Sequence, residues 1–480
     1  LFRLNRFRFV CMAVVALVIS AALFDNCGNK YLYGFDVTAD YHYDFLRDNN
    51  SLSRIPCKIY QDHFVLPNQR GAWDTGLLKI DLHATLLGKW LSPYVEITCA
   101  GKHYKQFFEY GAGGIRYLNI SHLAGKASGT VTLTGHHLSW GLQDGQLLLF
   151  RNPDPAGKKI LFLSPHPDDA EIAGFGFYSF KDSYIVTVTD GSTGAEKYQK
   201  YFYGTDMPTS LGLIAKLRVL DSVTVPQIGG VPAERCYNLG YFAETLKAMH
   251  DHPDRETKNL YTNASSVNCF RDLNRTRLSG VGTPKWSSLV NDLSTLLKEI
   301  QPDIIVTPDP ALDTNLDHEY SSLALFEAIG KTGSLKEGKL YLYSNHYILG
   351  RSSQYGEQGS LASLPPLFSP TKKFRSVYSY ELKKETQVEK VFALDAMHDL
   401  RPLPYAVHKS PLDAVRDLAH SLVGYTRNGS EFDLSYYRKS VKANEFFFVY
   451  SYGDIPELTA GFQQYQRDAT ARVHGFTGRP

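Results

Sequence analysis

The chain has almost no net charge: 51 lysines and arginines stand against 49 aspartates and glutamates, a formal +2 over 480 residues. Such a balance leaves no strong field toward a polyanion, so a nucleic-acid partner is set aside. Internal repeats and long low-complexity stretches are also missing, which argues against a repeat array. Cysteine is scarce, with six copies at Cys11, Cys27, Cys57, Cys99, Cys236 and Cys269. Domain-local pairing would join Cys57 to Cys99 and Cys236 to Cys269, but sequence alone does not select a connectivity. Buried free thiols are the equal alternative.

Long apolar runs are absent apart from one, residues 9–24, which follows Arg3, Arg6 and Arg8. A basic flank before an apolar stretch is the pattern of a signal peptide or a membrane anchor. The run is long for the first and short for the second, which takes roughly 20 residues. The anchor is slightly favoured. Either reading exports the rest of the chain and keeps the positive flank inside. The expectation is a bacterial inner-membrane protein facing the periplasm, or a secreted one, with membrane contact through residues 1–30. The remainder, in a chain 43% hydrophobic and 21% charged, has the composition of a globular protein.

Residues 31–155 read as short strands, at 78–82, 94–98, 130–134 and 146–150, where apolar residues alternate with polar ones or cluster. Several strands separated by turn residues predict a β-sandwich-like domain. Asn152-Pro153-Asp154-Pro155-Ala156-Gly157 is a turn-rich linker. Beyond it, in 156–480, apolar strands at 159–163, 184–189 and 303–307 alternate with helical periods at 211–222, 241–250, 287–300 and 318–329. Later segments are read as a strand at 340–347, helices at 388–398 and 412–425, and a strand at 446–450. The fold class expected is α/β, a Rossmann-like, mostly parallel sheet flanked by helices. Ligands of such sheets sit beyond the carboxyl ends of the strands.

Directly after the first parallel strand comes Ser164-Pro165-His166-Pro167-Asp168-Asp169-Ala170-Glu171. After the third comes the loop 308–317, closed by His318 at the start of a helix. Crowded carboxylates beside imidazole call for a cation or a proton. Two imidazoles and one carboxylate form a ligand set of the catalytic zinc type, and the mixed nitrogen and oxygen donors without thiolate suit zinc, with iron or cobalt able to substitute. Asp309 and Asp313 read as turn residues, and Arg218 as a helix salt-bridge residue.

The tetrad His166-Pro167-Asp168-Asp169 after a first strand, Thr189-Asp190-Gly191 after the second, and Asp317-His318 opening a late helix together resemble the LmbE-like, or PIG-L, family of N-deacetylases. The resemblance spans roughly residues 158–400 and also touches Arg218 and Lys390. It implies zinc (Zn2+) held by His166, Asp169 and His318, with Asp168 as general base toward a water whose pKa the metal lowers to about 7. The implied reaction is hydrolytic N-deacetylation of an N-acetylhexosamine in an envelope glycan or glycolipid such as lipopolysaccharide. The sequence departs from the family where a histidine usually precedes the last ligand by three residues; here that position is Asn315, which can donate a hydrogen bond but cannot titrate. Either Asn315 assists the reacting oxygen alone, or another histidine such as His346 substitutes. Two rivals stay open: a non-catalytic glycan-binding or assembly protein, and an amidase acting on a larger acyl group. Oligomeric state is not read from the sequence.

Overall fold

The structure, a computed structural model, describes residues 35–464 except 47–50, 69–72, 90, 126–127, 194–195, 200–201, 263, 265, 275–281, 334, 336, 348–354, 369–371 and 401–435. The signal or anchor at 1–30 and the helix expected at 412–425 lie outside the described residues. No helix among the described residues is long and apolar enough to cross a membrane.

The first strands are β1 (Asp44–Phe45), β2 (Leu52–Ile59), β3 (His63–Leu66), β4 (Thr75–Ala84), β5 (Tyr94–Cys99), β6 (Lys102–Phe107), β7 (Gly113–Asn119), β8 (Gly129–His136), β9 (Leu138–Ser139) and β10 (Gln143–Phe150). All but β1 join one antiparallel sheet in the order β6-β5-β8-β3-β2-β10-β4-β7, with β9 beside β4. Alternation along β4 sends Leu78, Ile80 and Leu82 into a core shared with Val95 and Ile97 of β5 and Val131 and Leu133 of β8. Strands far apart along the hydrogen-bonded path thus meet face to face. The region expected to be β-sandwich-like is one hydrogen-bonded sheet whose strands share one core.

The second sheet holds β11 (Ile160–Ser164), β12 (Ser183–Thr189), β13 (Cys236–Tyr241), β14 (Ile304–Pro308), β15 (Lys339–Tyr343), β17 (Ser376–Glu381) and β18 (Asn444–Ser451), while β16 (Lys373–Phe374) pairs in parallel with β1. Its order is β13-β12-β11-β14-β15-β18-β17. The strands from β13 to β15 run parallel, and β18 and β17 are antiparallel additions. The main helices are α1 (Asp169–Tyr178), α2 (Met207–Thr224), α3 (Trp286–Ile300), α4 (Leu316–Thr332) and α5 (Lys384–Ala396).

Residues of β11 are apolar on both faces because helices cover both. Leu161 and Leu163 pack with residues of α3 and α4, such as Leu293 and Ala324. Ile160 and Phe162 pack with Phe175 and Phe177 of α1 and Ala393 of α5. Each such burial contributes roughly 1.5–3 kcal/mol. The chain winds outward from β11 to β12 and β13 on one side, and to β14 and β15 on the other. The direction of winding reverses between β11 and β14, which is where a crevice opens in sheets of this kind.

One expected element is corrected. Residues 241–250 read as a helix, yet the segment opens at the end of strand β13, and the helix there is only Leu246–Asp251. Cys236-Tyr237-Asn238-Leu239-Gly240-Tyr241 lacks an apolar run because β13 is an edge strand with a register shift against β12. Cys57, Cys99, Cys236 and Cys269 are all free thiols, so the domain-local disulfides are not formed.

Candidate metal centre

Both ligand-bearing loops leave the strands that flank the reversal point. After β11, Ser164 Oγ donates to the His166 carbonyl (2.6 Å) and accepts from Ala170 N–H (3.1 Å), which turns the chain sharply into α1. Asp168 caps that helix at φ 118°, ψ −27°, a conformation a side chain rarely adopts. After β14, Asn315 caps α4 by accepting from Asp317 N–H at 2.9 Å. One turn into α4, His318 points back toward His166.

The result is one compact triad. His166 Nδ1 and His318 Nε2 are 3.2 Å apart. Asp169 Oδ2 lies 3.3 Å from the first and 3.0 Å from the second. Among the described residues this is the group of acidic, histidine and cysteine side chains placed to hold a metal. A tetrahedral ion with bonds of about 2.0–2.1 Å sets its donors about 3.3 Å apart, so the three atoms fit.

The outer nitrogens settle the tautomers. His166 Nε2 is 3.0 Å from Asp317 Oδ2, and His318 Nδ1 is 3.0 Å from Asp313 Oδ2. With an ion bound, a proton on each outer nitrogen would leave both inner nitrogens as lone pairs facing it; without one, both inner nitrogens face the Asp169 carboxylate. Asp317 Oδ2 also accepts from Glu244 N–H at 2.6 Å, where Glu244 sits at φ 64°. Asp313 Oδ2 accepts from the N–H groups of Asn345 (2.8 Å) and His346 (3.2 Å). Asn345 Nδ2 donates to Asp169 Oδ1 at 2.8 Å.

Ionisation follows the same contacts. Burial opposes charging of His166, but the carboxylates of Asp169 and Asp317 raise it to about 9. His318, fully buried, is raised by Asp169 and Asp313. Burial opposes ionisation of Asp169 too, yet His318 and His166 hold it well below the usual carboxylate range. Burial pushes Asp168 up to about 7 against the pull of Arg218.

Arg218 forms salt bridges, as expected of a salt-bridge residue, but its partners Asp168 and Asp399 lie outside its own helix. It is buried and donates to Asp168 Oδ2 (3.0 Å), the Pro167 carbonyl (2.9 Å) and the Gly191 carbonyl (2.7 Å). It also lies 3.4 Å from Asp399. A Cβ at Gly191 would come within 2.9 Å of this guanidinium, and the φ of +66° there also favours glycine. Asp190 ties the neighbouring loops together by accepting from Ser192 and from Ala243 N–H, and burial pushes it up to about 6. His346 stands edge-on to His318, with ring centroids 4.8 Å apart. His398 pairs with Asp221 at 2.7 Å. Lys390 lies away from the triad, in a buried 2.8 Å pair with Glu445. Asp309 accepts from the backbone N–H groups of Ala311 and Leu312, as a turn residue does, and also from Lys372.

Asn345 and the supporting roles of Asp313 and Asp317 escaped the sequence reading. Asp317 had a signal, its place beside His318, whereas Asn345 is a lone polar residue after a strand and has none.

A parallel α/β sheet with a His-Asp-His cluster at its reversal point thus carries a candidate metal centre. Residues 161–329 match the family profile described as PIG-L, GlcNAc-PI de-N-acetylase. Over that segment the chain is similar to the PIG-L, or LmbE-like, family. Among solved structures it is similar to an N,N'-diacetylchitobiose deacetylase from Pyrococcus horikoshii, at 17% identity over 63% of this chain and 88% of that one, TM-score 0.34. It is also similar to the teicoplanin deacetylase Orf2 (14% identity, 61% and 98% covered, TM-score 0.32). The A40926 pseudoaglycone deacetylase Dbv21 is comparable (16% identity, 61% and 98% covered, TM-score 0.32). No curated protein matches the chain.

Proposed function

We propose that the protein is a metal-dependent N-deacetylase acting on an N-acetylhexosamine within an envelope glycan or glycolipid. The observation that supports this most directly is the triad, whose three donor atoms lie 3.0–3.3 Å from one another with both outer imidazole nitrogens held by carboxylates. His166, Asp169 and His318 would hold a divalent ion, zinc by donor type, which would supply Lewis acidity and lower the pKa of a bound water to about 7.

The chain's own residues divide the remaining work. Asp168 is the general base; its position near neutrality lets it accept a proton from water and release it to the departing sugar amine. Arg218 fixes that carboxylate by gripping the loops on either side of it. Asn315 is assigned as a hydrogen-bond donor to the developing oxyanion through its amide NH2, since its Oδ1 already serves the cap. His346 is the other candidate for that role, because its ring stands beside His318. The N-terminal apolar run would anchor the enzyme to the membrane and leave this site exported.

Acetate release from N-acetylglucosamine-containing acceptors tests the reading. The protein should lose activity to a chelator and regain it with zinc. Failure of zinc-loaded protein to release acetate from any amino-sugar acceptor would sink it. A glycan-binding protein would show no need of stoichiometric metal, and an amidase would prefer longer acyl groups.

A further inference from the structure

The loop that leaves β15, Ser344-Asn345-His346, reaches both ligand-bearing segments at once. Asn345 Nδ2 donates to Asp169 Oδ1 at 2.8 Å and to the Asp169 carbonyl at 3.3 Å. The Asn345 N–H donates at 2.8 Å to Asp313 Oδ2, the oxygen that lies 3.0 Å from His318 Nδ1. Asn345 and Asp313 are both buried, at 5% and 0% exposed.

Resting on the metal-centre reading above, we infer that Asn345 is a positioning residue that sets how Asp169 meets the ion. Asp169 has two oxygens and is buried. Oδ2 faces both inner imidazole nitrogens and accepts from His166 N–H at 2.9 Å. Oδ1 faces the Asn345 amide. With Oδ1 satisfied there, Asp169 offers one oxygen to the ion. Without that donor, Oδ1 loses this hydrogen bond in a buried setting, or swings toward the cation as a second ligand. An amide suits this place because it donates without a positive charge to compete with the metal. The backbone arm of the same residue steadies His318 through Asp313, and no side-chain substitution at 345 removes it. Side-chain variants therefore address Asp169 alone.

The test uses the full chain, with zinc affinity measured by chelator competition and the visible absorption of the cobalt(II) form read as a signature of coordination. Asn345→Ala should weaken zinc binding by about 10–100-fold, the usual effect of losing an outer partner of a ligand, and should alter the cobalt spectrum. Asn345→Asp is isosteric and replaces the donor with an acceptor. It should do the same, and it decides the matter if the alanine variant does not fold. A purely structural role would lower the thermal midpoint of metal-free protein and leave the cobalt spectrum as in wild type; that result overturns the inference. So would zinc affinity within about twofold of wild type in both variants, well short of the expected loss. Wild-type protein that takes up neither zinc nor cobalt removes the metal-centre reading and this inference with it.

Discussion

Asp168 illustrates how much single residues decide here. Its backbone sits at φ 118°, and the buried Arg218 holds its carboxylate. Asp168→Asn should lower turnover by roughly 10²–10⁴, the usual range for a general base, while metal content by atomic absorption stays stoichiometric. Full turnover in that variant would remove Asp168 from the mechanism. Arg218→Met leaves Asp168 and Asp399 without their cation, at a cost of about 3–5 kcal/mol for a broken buried pair, visible in urea titration. It also removes the influence that lowers Asp168, so the acid limb of the pH–rate profile should move to higher pH. The histidines give a further prediction. His166 rises from 6.5 to about 9 on folding. A raised histidine contributes stability that is complete below about pH 6.5 and lost as pH passes through 9. Metal-free protein should therefore melt lower at pH 9.5 than at pH 6.5, an interval spanning the two values. Zinc loading should abolish that trend, since the ion takes the place of the protons; an unchanged melting temperature across the interval in metal-free protein would contradict it. His166, Asp168 and Asp169 were legible because an apolar strand runs straight into them. Asp313 and Asn345 were not, since they meet from separate strands and local sequence does not encode that meeting.

Helix α1 carries Asp169 at its first position and breaks its own regularity at Gly174 (φ −154°, ψ 31°). The break frees backbone donors further along. Glu445 of β18 accepts from Gly176 N–H at 3.0 Å and Phe177 N–H at 2.7 Å, and Lys390 of α5 neutralises it at 2.8 Å. Lys390, which family resemblance placed near the chemistry, is thus a brace for the helix behind it. Both members of the pair are buried, so removing one strands the other. Glu445→Gln should cost about 3–5 kcal/mol, and adding Lys390→Met should recover part of that loss. A double-mutant cycle on urea midpoints measures the coupling, and additive losses would show that the two act independently. The brace was illegible for a physical reason: nothing in Asp169–Tyr178 announces that its kink is served by a carboxylate more than 260 residues away. Gly174 and Gly176 are points of close packing. A Cβ at either would lie 2.4 Å from Phe162 or 2.2 Å from Leu382.

At the scale of the whole molecule, the turn-rich linker at 152–157 suggested a boundary, but the core does not stop there. Tyr41, Phe45, Leu77, Tyr117, Leu148 and Phe150 share one cluster with Leu161, Phe374, Val377 and Phe448. Tyr43 lies 5.0 Å, ring centre to ring centre, from Phe374. Polar contacts cross as well: Asn119 reaches Ser379 at 3.0 Å, Ser379 N–H reaches Thr75 at 2.9 Å, and Asn152 reaches the Val377 carbonyl at 2.9 Å. The antiparallel sheet is therefore packed as part of the protein that builds the site. Stripped of it, a chain beginning at residue 156 would expose Phe374, Val377 and Phe448. At roughly 1.5–3 kcal/mol each, that is about 5–9 kcal/mol, comparable with the ~5–15 kcal/mol of a whole domain's stability. The orphaned polar partners Ser379 and Val377 add to the cost. Residues 156–480 alone should be insoluble or lack a cooperative melt, and residues 35–464 should unfold in one calorimetric transition. Two well-separated transitions, or a soluble and metal-binding 156–480 fragment, would show instead that the sheet is an appended module and that its role is to be sought away from the catalytic edge.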